Sequence, residues 1–191
     1  MNSEDAKALL AEAVRGRSGT WADFGAGTGT FSRALAGLLG PTSRVLAIDR
    51  DEEALLELRR LAAFEAPNVE PVRGDFTEVA SLRLEVGSLD GMLFANALHF
   101  VPRPELVLTL LLPFLRPRGR VVLVEYDRRA PTRWVPYPIP VSQVELVMGA
   151  AGLAAPRMTA TAPSEFGGTL YVATTSRIEH ASADAGSMAA G

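Results

Sequence analysis

Seven residues, Asp23-Phe24-Gly25-Ala26-Gly27-Thr28-Gly29, set three glycines at alternate positions between a β-rich run and a helical pattern. Glycine lets the backbone turn tightly and admits a ligand close to it, while the free N–H groups of the following helix start attract negative polarity. The spacing is G-x-G-x-G. Thr30 stands where the dinucleotide fingerprint G-x-G-x-x-G carries its last glycine, which disfavours NAD. Two acids follow in order. Asp49, 24 residues past Gly25, closes the second β-rich run, where a carboxylate can accept hydrogen bonds from both hydroxyls of a ribose, with Arg50 beside it. Asp75 follows Gly74 at the end of the third run, where its oxygen can accept from an exocyclic amine such as that of adenine and Phe76 can pack on the ring. Taken singly, Asp49 could cap the next helix and Asp75 could fix a turn. In chain order with the glycine loop they describe one nucleoside-bearing ligand.

Groups for acid–base work are scarce. His99 lies just after the fourth β-rich run and would serve as a base toward a hydroxyl, an acid or an enolisable carbon; it could equally hydrogen-bond a neighbouring loop and shape a pocket. Tyr126, Trp134 and Tyr137 are candidate walls for an acceptor, although an aromatic in a proline-rich loop can also simply pin the loop to the domain. Without cysteine there is no disulfide, thiolate nucleophile or Cys-type zinc site, and the composition suits a reducing cytoplasm. The single lysine, Lys7, excludes a phosphate loop ending in Gly-Lys-Ser/Thr, and two histidines, His99 and His180, cannot build a three-histidine metal site. No metal is expected.

These groups need a scaffold. With 191 residues and 48% hydrophobic content the chain suits one domain, expected over residues 1–175, with a disordered small and polar tail over 176–191. Strands are expected at 20–24, 44–49, 69–73, 89–95 and 120–126, the five of them buried, and two later ones at 157–162 and 169–174. Helices are expected at 3–15, 30–39, 51–64, 104–115 and 142–151, with Asp51 as a cap and Gly40-Pro41 as a stop. Alternating strand and helix patterns describe βα units on a mostly parallel sheet, ended by a hairpin through Ser164-Glu165-Phe166-Gly167-Gly168. Residues 127–140, with four prolines and three arginines, read as a long loop. The net charge of −3 and arginines scattered along the chain give no nucleic-acid footprint. Neither a signal peptide nor a membrane span is legible.

From about residue 20 to 175 the sequence resembles the class I S-adenosylmethionine (AdoMet) dependent methyltransferases, particularly their small-molecule branch. The acidic-x-Gly-x-Gly-x-Gly motif appears as Asp23 to Gly29, the ribose acid as Asp49, the adenine-side motif as Gly74-Asp75-Phe76, and the strand-four exit as 93–101. Leu115-Arg116-Pro117-Arg118-Gly119-Arg120-Val121-Val122 is similar to the family's turn into strand five, with Arg118 replacing a glycine. The resemblance implies an α/β, Rossmann-like sheet of order 3-2-1-4-5-7-6, strand seven antiparallel, with helices on both faces. It implies AdoMet as cofactor and S-adenosylhomocysteine as product, held by Asp23, Gly25, Ala26, Gly27, Gly29, Asp49, Arg50, Asp75, Phe76, Asn96 and Ala97. Asn96-Ala97-Leu98-His99 stands where enzymes of base amines carry Asp/Asn-Pro-Pro-aromatic, which leaves a small organic molecule as the expected acceptor, with a protein side chain as the alternative. Two other readings stay open: a methyltransferase-like domain that binds cofactor or a partner without turnover, and a nicotinamide-dependent oxidoreductase.

Overall fold

The computed structural model describes residues 1–128, 130–164 and 167–178. Its elements in chain order are α1 (Ser3–Leu10), β1 (Thr20–Phe24), α2 (Thr30–Leu39), β2 (Arg44–Asp49), α3 (Glu52–Glu65) and β3 (Val69–Arg73). There follow β4 (Leu89–Ala95), α4 (Pro104–Leu111), β5 (Leu115–Tyr126), α5 (Val141–Ala150), β6 (Arg157–Pro163) and β7 (Thr169–Ser176). One seven-stranded sheet runs β3-β2-β1-β4-β5-β7-β6. β1 to β5 pair in parallel, while β7 is antiparallel to both β5 and β6. The expected fold class and strand order are those observed.

Because side chains alternate along a strand, β1 sends Trp21 to one face and Ala22 and Phe24 to the other, and each face carries its own core. Phe24, Met92, Phe94 and Leu123 pack with α4 and α5, whereas Trp21, Val45, Leu93 and Val122 pack with α1, α2 and α3. Asp51 caps α3 by accepting from the N–H groups of Glu53 and Ala54, and Gly40 ends α2 at φ +87°. These punctuations fix where each strand enters the sheet and so align the strand ends that carry the site.

The departures have local causes. β3 is an edge strand with Glu70 and Arg73 exposed, so it is not buried like its neighbours. α1 stops at Leu10 and continues as turns. α4 ends at Leu111, and a 3₁₀ turn over Leu112–Phe114 contains Pro113, whose missing N–H cannot extend the ladder. β5 starts early because Leu115 pairs with Leu89; pairing resumes at Arg120 with Gly91, and residues 116–119 loop out between them. Arg118 sits there at φ +62°, the left-handed conformation that explains why the resembling turn has glycine. β7 runs through Ser176, which pairs with Arg120, and Arg177 bridges Leu153, so the ordered fold passes the expected limit at 175. The remainder of the expected tail, 179–191 with His180, lies outside the described residues, as do Glu165 and Phe166 of the hairpin connection. Among the described residues no helix is long and apolar enough to cross a membrane.

Gly91 lies at the sheet's centre, and a Cβ there would fall 2.5 Å from the fully buried Trp21 ring. Gly91→Ala is therefore expected to cost about 1 to 3 kcal/mol, read as a lower urea midpoint at unchanged slope; a midpoint equal to wild type would refute the packing argument.

Candidate functional site

The glycine loop leaves β1 and turns at once, because the N–H groups of Gly25 and Ala26 both donate to the Ile48 carbonyl at 2.9 and 3.1 Å. Gly25, Gly27 and Gly29 all have positive φ, but their surroundings differ. A Cβ on Gly25 would lie 2.7 Å from Ala97 Cβ and 3.5 Å from Phe76 Cε1, so this glycine lets the loop close against the turn after β4. On Gly29 it would strike Leu58 of α3 at 2.1 Å, a matter of helix packing, and on Gly27 it would meet nothing within 4 Å. Asp49 at the end of β2 fastens the loop: Oδ2 accepts from the N–H of Gly27 at 2.7 Å and Oδ1 from that of Asp51 at 2.8 Å. Each carboxylate oxygen retains a second lone pair for a ligand hydroxyl.

A cavity of about 290 Å³ opens beside this loop at the C-terminal ends of the parallel strands, where ligands of open α/β sheets bind. Gly25, Asp49, Arg50, Asp75, Phe76, Asn96 and Ala97 share its wall. Asp23, Ala26, Gly27 and Gly29 are not in that wall. Phe76 packs on Phe24 and Phe94 with ring centres 6.2 and 6.0 Å apart, so the aromatic is held from behind by the core. Oδ1 of Asp75 accepts from the Thr77 N–H and hydroxyl at 2.9 and 2.6 Å, and Oδ2 faces Arg50 at 3.5 Å. Partial burial pushes the Asp75 pKa up, but the Thr77 hydrogen bonds and the Arg50 guanidinium outweigh it and hold the carboxyl below its ordinary value.

Two buried oxygens in this region have no hydrogen-bond partner among the described residues: Asp23 Oδ1 and Asn96 Oδ1. Asp23 is 1% exposed and accepts from the Ser32 hydroxyl of α2 at 2.6 Å through its other oxygen. Burial raises its pKa to about 7, with the Asp49 charge adding to the rise and Ser32 opposing it. Asn96 follows β4 at φ +55°, with its N–H donating to the Val124 carbonyl at 2.8 Å. Unpaired buried acceptors are costly and mark places where a donor belongs. Asn96, in the cavity wall with an unpaired amide oxygen, suits an amine donor such as that at the amino-acid end of AdoMet, while Asp49 and the Asp75–Phe76 wall suit its nucleoside end.

A second cavity, about 660 Å³ and mostly apolar, lies under the proline-rich loop between Asn96, His99, Phe100, Tyr126, Trp134 and Val135. It shares Asn96 and Phe100 with the first. His99 is 2% exposed and bonded twice to Glu125, which is fully buried in β5. Its N–H donates to Oε1 at 3.1 Å, and Nδ1 lies 2.6 Å from Oε2, leaving Nε2 as the ring nitrogen for the cavity. Tyr126 borders both this space and a third of about 510 Å³ beside α1 and β6, where Asn96 appears again. Trp134 lines the second cavity but is 72% exposed, with the Arg133 guanidinium 5.1 Å from its ring centre. Tyr137 is not in the wall; its N–H donates to the His99 carbonyl at 2.9 Å and pins the loop. Glu125 was not anticipated from sequence, though an acid inside the apolar run Val121-Val122-Leu123-Val124 onward is a signal that a partner must exist.

The model of the methyltransferase domain family matches residues 22–119, half of the chain. Over 122 residues the chain is 33% identical to the "uncharacterized 37.1 kDa protein in transposon TN4556" of Streptomyces fradiae, covering 63% of this chain and 34% of that one. Over 96 residues it is 42% identical to ribosomal RNA small subunit methyltransferase H of Acidobacterium capsulatum, covering 44% and 32%. It therefore spans about a third of the length of these curated relatives. Among solved structures it superposes on the 1,6-didemethyltoxoflavin-N1-methyltransferase of Burkholderia thailandensis, bound to 1,6-didemethyltoxoflavin and S-adenosylhomocysteine. That match has a TM-score of 0.72 at 24% identity and covers 93% of this chain and 78% of that one, a likeness of fold. With the glycine loop, the acid at the end of β2 and the turn after β4 all inside the matched half of the chain, the chain belongs to the methyltransferase domain family.

Proposed function

We propose that the protein transfers a methyl group from AdoMet to a small organic acceptor seated under the proline-rich loop. The observation that carries this reading is the shared wall: Asn96 and Phe100 border both the nucleoside-sized cavity and the larger apolar one, so two ligands there would meet across those residues. A walled apolar space favours turnover over a binding-only domain, and with the net charge of −3 it favours a small molecule over an RNA acceptor. A cysteine-free chain suits a cytoplasmic setting.

In this reading Asp49 takes the ribose hydroxyls, Asp75 and Phe76 the adenine, and Asp23 with Asn96 the amine. When bound, AdoMet supplies an electrophilic methyl on a sulfonium. The chain holds the acceptor in line and keeps water out, and such positioning is worth about 7 to 11 kcal/mol of barrier. Nε2 of His99 accepts the acceptor's proton while Glu125 holds Nδ1–H, fixing the tautomer and offsetting the charge on the ring. Acceptors with a weakly acidic O–H, N–H or C–H are thus favoured over tertiary amines, which have no proton to give.

Calorimetric titration should show AdoMet and S-adenosylhomocysteine binding and NAD failing to bind; no binding of either sulfur ligand would overturn the proposal. Asp49→Ala should weaken AdoMet by about 1 to 3 kcal/mol, and unchanged affinity would displace the ribose site. With an acceptor in hand, His99→Ala should lower kcat by about a hundredfold, and Glu125→Gln should shift its pH profile; a loss under about tenfold in the first would remove His99 as base.

Asp23 gives a pH signature. Its folded pKa of about 7 lies above the ordinary 3.8, so its stabilising contribution is present below about pH 4 and is lost as pH rises through about 7. The slope is at most about 1.4 kcal/mol per pH unit. Urea unfolding of the ligand-free protein between pH 5 and 7.5 should show a decline that Asp23→Asn flattens; equal slopes in both proteins would show that Asp23 ionises normally.

A further inference from the structure

At the end of the sheet away from the cofactor cavity, the arginines scattered along the sequence converge. A groove of about 610 Å³ is lined by Arg17 from the segment after α1, Arg118 and Arg120 from the start of β5, Arg157 from the start of β6, and Arg177 after β7. The antiparallel pairing produces this: the register of Arg120 with Ser176 and of Arg157 with Thr174 brings two strand starts and one strand end to the same edge. No acidic and no aromatic side chain lines the groove among the described residues.

Among the described residues, the counter-charge around Arg120 and Arg157 is partial. Glu12 lies 3.5 Å from Arg157 but also 2.5 Å from Arg15, and Asp90 is taken up by Arg116 at 2.7 Å. Arg120 donates to the Ala13 carbonyl at 2.7 Å, an uncharged partner. Burial first, then the like charges of Arg17 and Arg157, depress its pKa, with Glu12 opposing them, in a chain whose net charge is −3. Guanidinium forks match phosphoryl oxygens two at a time, and several of them converging on one concavity suit an anion with more than one phosphoryl group. The lack of an aromatic side chain removes the usual platform for a base, so the recognition would be of the phosphates themselves.

We propose that this groove is a second binding site, for an oligophosphate, either a free chain of linked phosphoryl groups or the phosphate backbone of a nucleic acid. It is independent of the methyl-transfer reading, being at the opposite end of the sheet.

The test uses the full chain of 191 residues. Tripolyphosphate and a short single-stranded RNA are titrated separately at low and physiological salt, with AdoMet as the control ligand. The variant is Arg17→Gln/Arg118→Gly, whose second change puts glycine at a φ of +62° and so spares the fold, with Arg177→Gln as an independent second variant. Tripolyphosphate is expected to bind more weakly as salt rises, and to lose at least about tenfold in affinity in the double variant while AdoMet affinity stays constant. RNA binding with the same loss would also uphold the site and assign the phosphates to a backbone. Binding that the variants leave unchanged, or no binding of either polyanion at low salt, overturns the proposal.

Discussion

A carboxyl group inside an apolar sheet has to be paired, and Glu125 is paired twice with the same residue, through the His99 backbone and through its ring. Much of the site hangs from that contact. It fixes the segment after β4, whose turn presses Ala97 against Gly25 and so seats the glycine loop. It also fixes the His99 carbonyl, to which Tyr137 donates, and with it the course of the proline-rich loop that roofs the larger cavity. The described residues of 127–140 make no regular element, yet the ends of the segment are tied to the core: Val141 donates to Asp127 and Tyr171 reaches the Ile139 carbonyl at 2.5 Å.

The glycine loop works as a joint between three elements more than as a cradle. Gly29 accommodates Leu58 and Gly25 accommodates Ala97, and the Asp49 carboxylate holds the Gly27 N–H. Asp49 thus both shapes the loop and faces the cavity beside it, so a single acid ties the backbone geometry to the shape of that wall.

The parallel strands were legible in the sequence because each is a short apolar run bounded by a turn signal, and the loop and the two acids were legible because they follow strands in order. β3 misled because Val69 and Val72 do pack on the core, while the exposure of Glu70 and Arg73 follows from an edge position that a single run cannot reveal. The wall of the first cavity was anticipated through Asp49, Asp75, Phe76 and Asn96, but Glu125 was not, since its partner His99 is 26 residues away and joined only by the β4–β5 pairing. Tyr137 was expected in the acceptor wall; the structure gives its backbone the role of a fastener instead. The arginine groove was hidden for the same reason as Glu125: its members belong to different elements, and only the reversal of β7 brings them together.

Asn96 borders all three cavities at this end of the sheet, in a left-handed conformation few residues hold without strain. A side chain with one amide cannot satisfy occupants on every side independently, so any reorientation made for one ligand alters the surface offered to the next. The resulting coupling runs equally in both directions: by whatever factor the first ligand changes the affinity of the second, the second changes that of the first. In the proposed methyl-transfer reading, cofactor and acceptor would thus be coupled through the Asn96 side chain, which both cavities share.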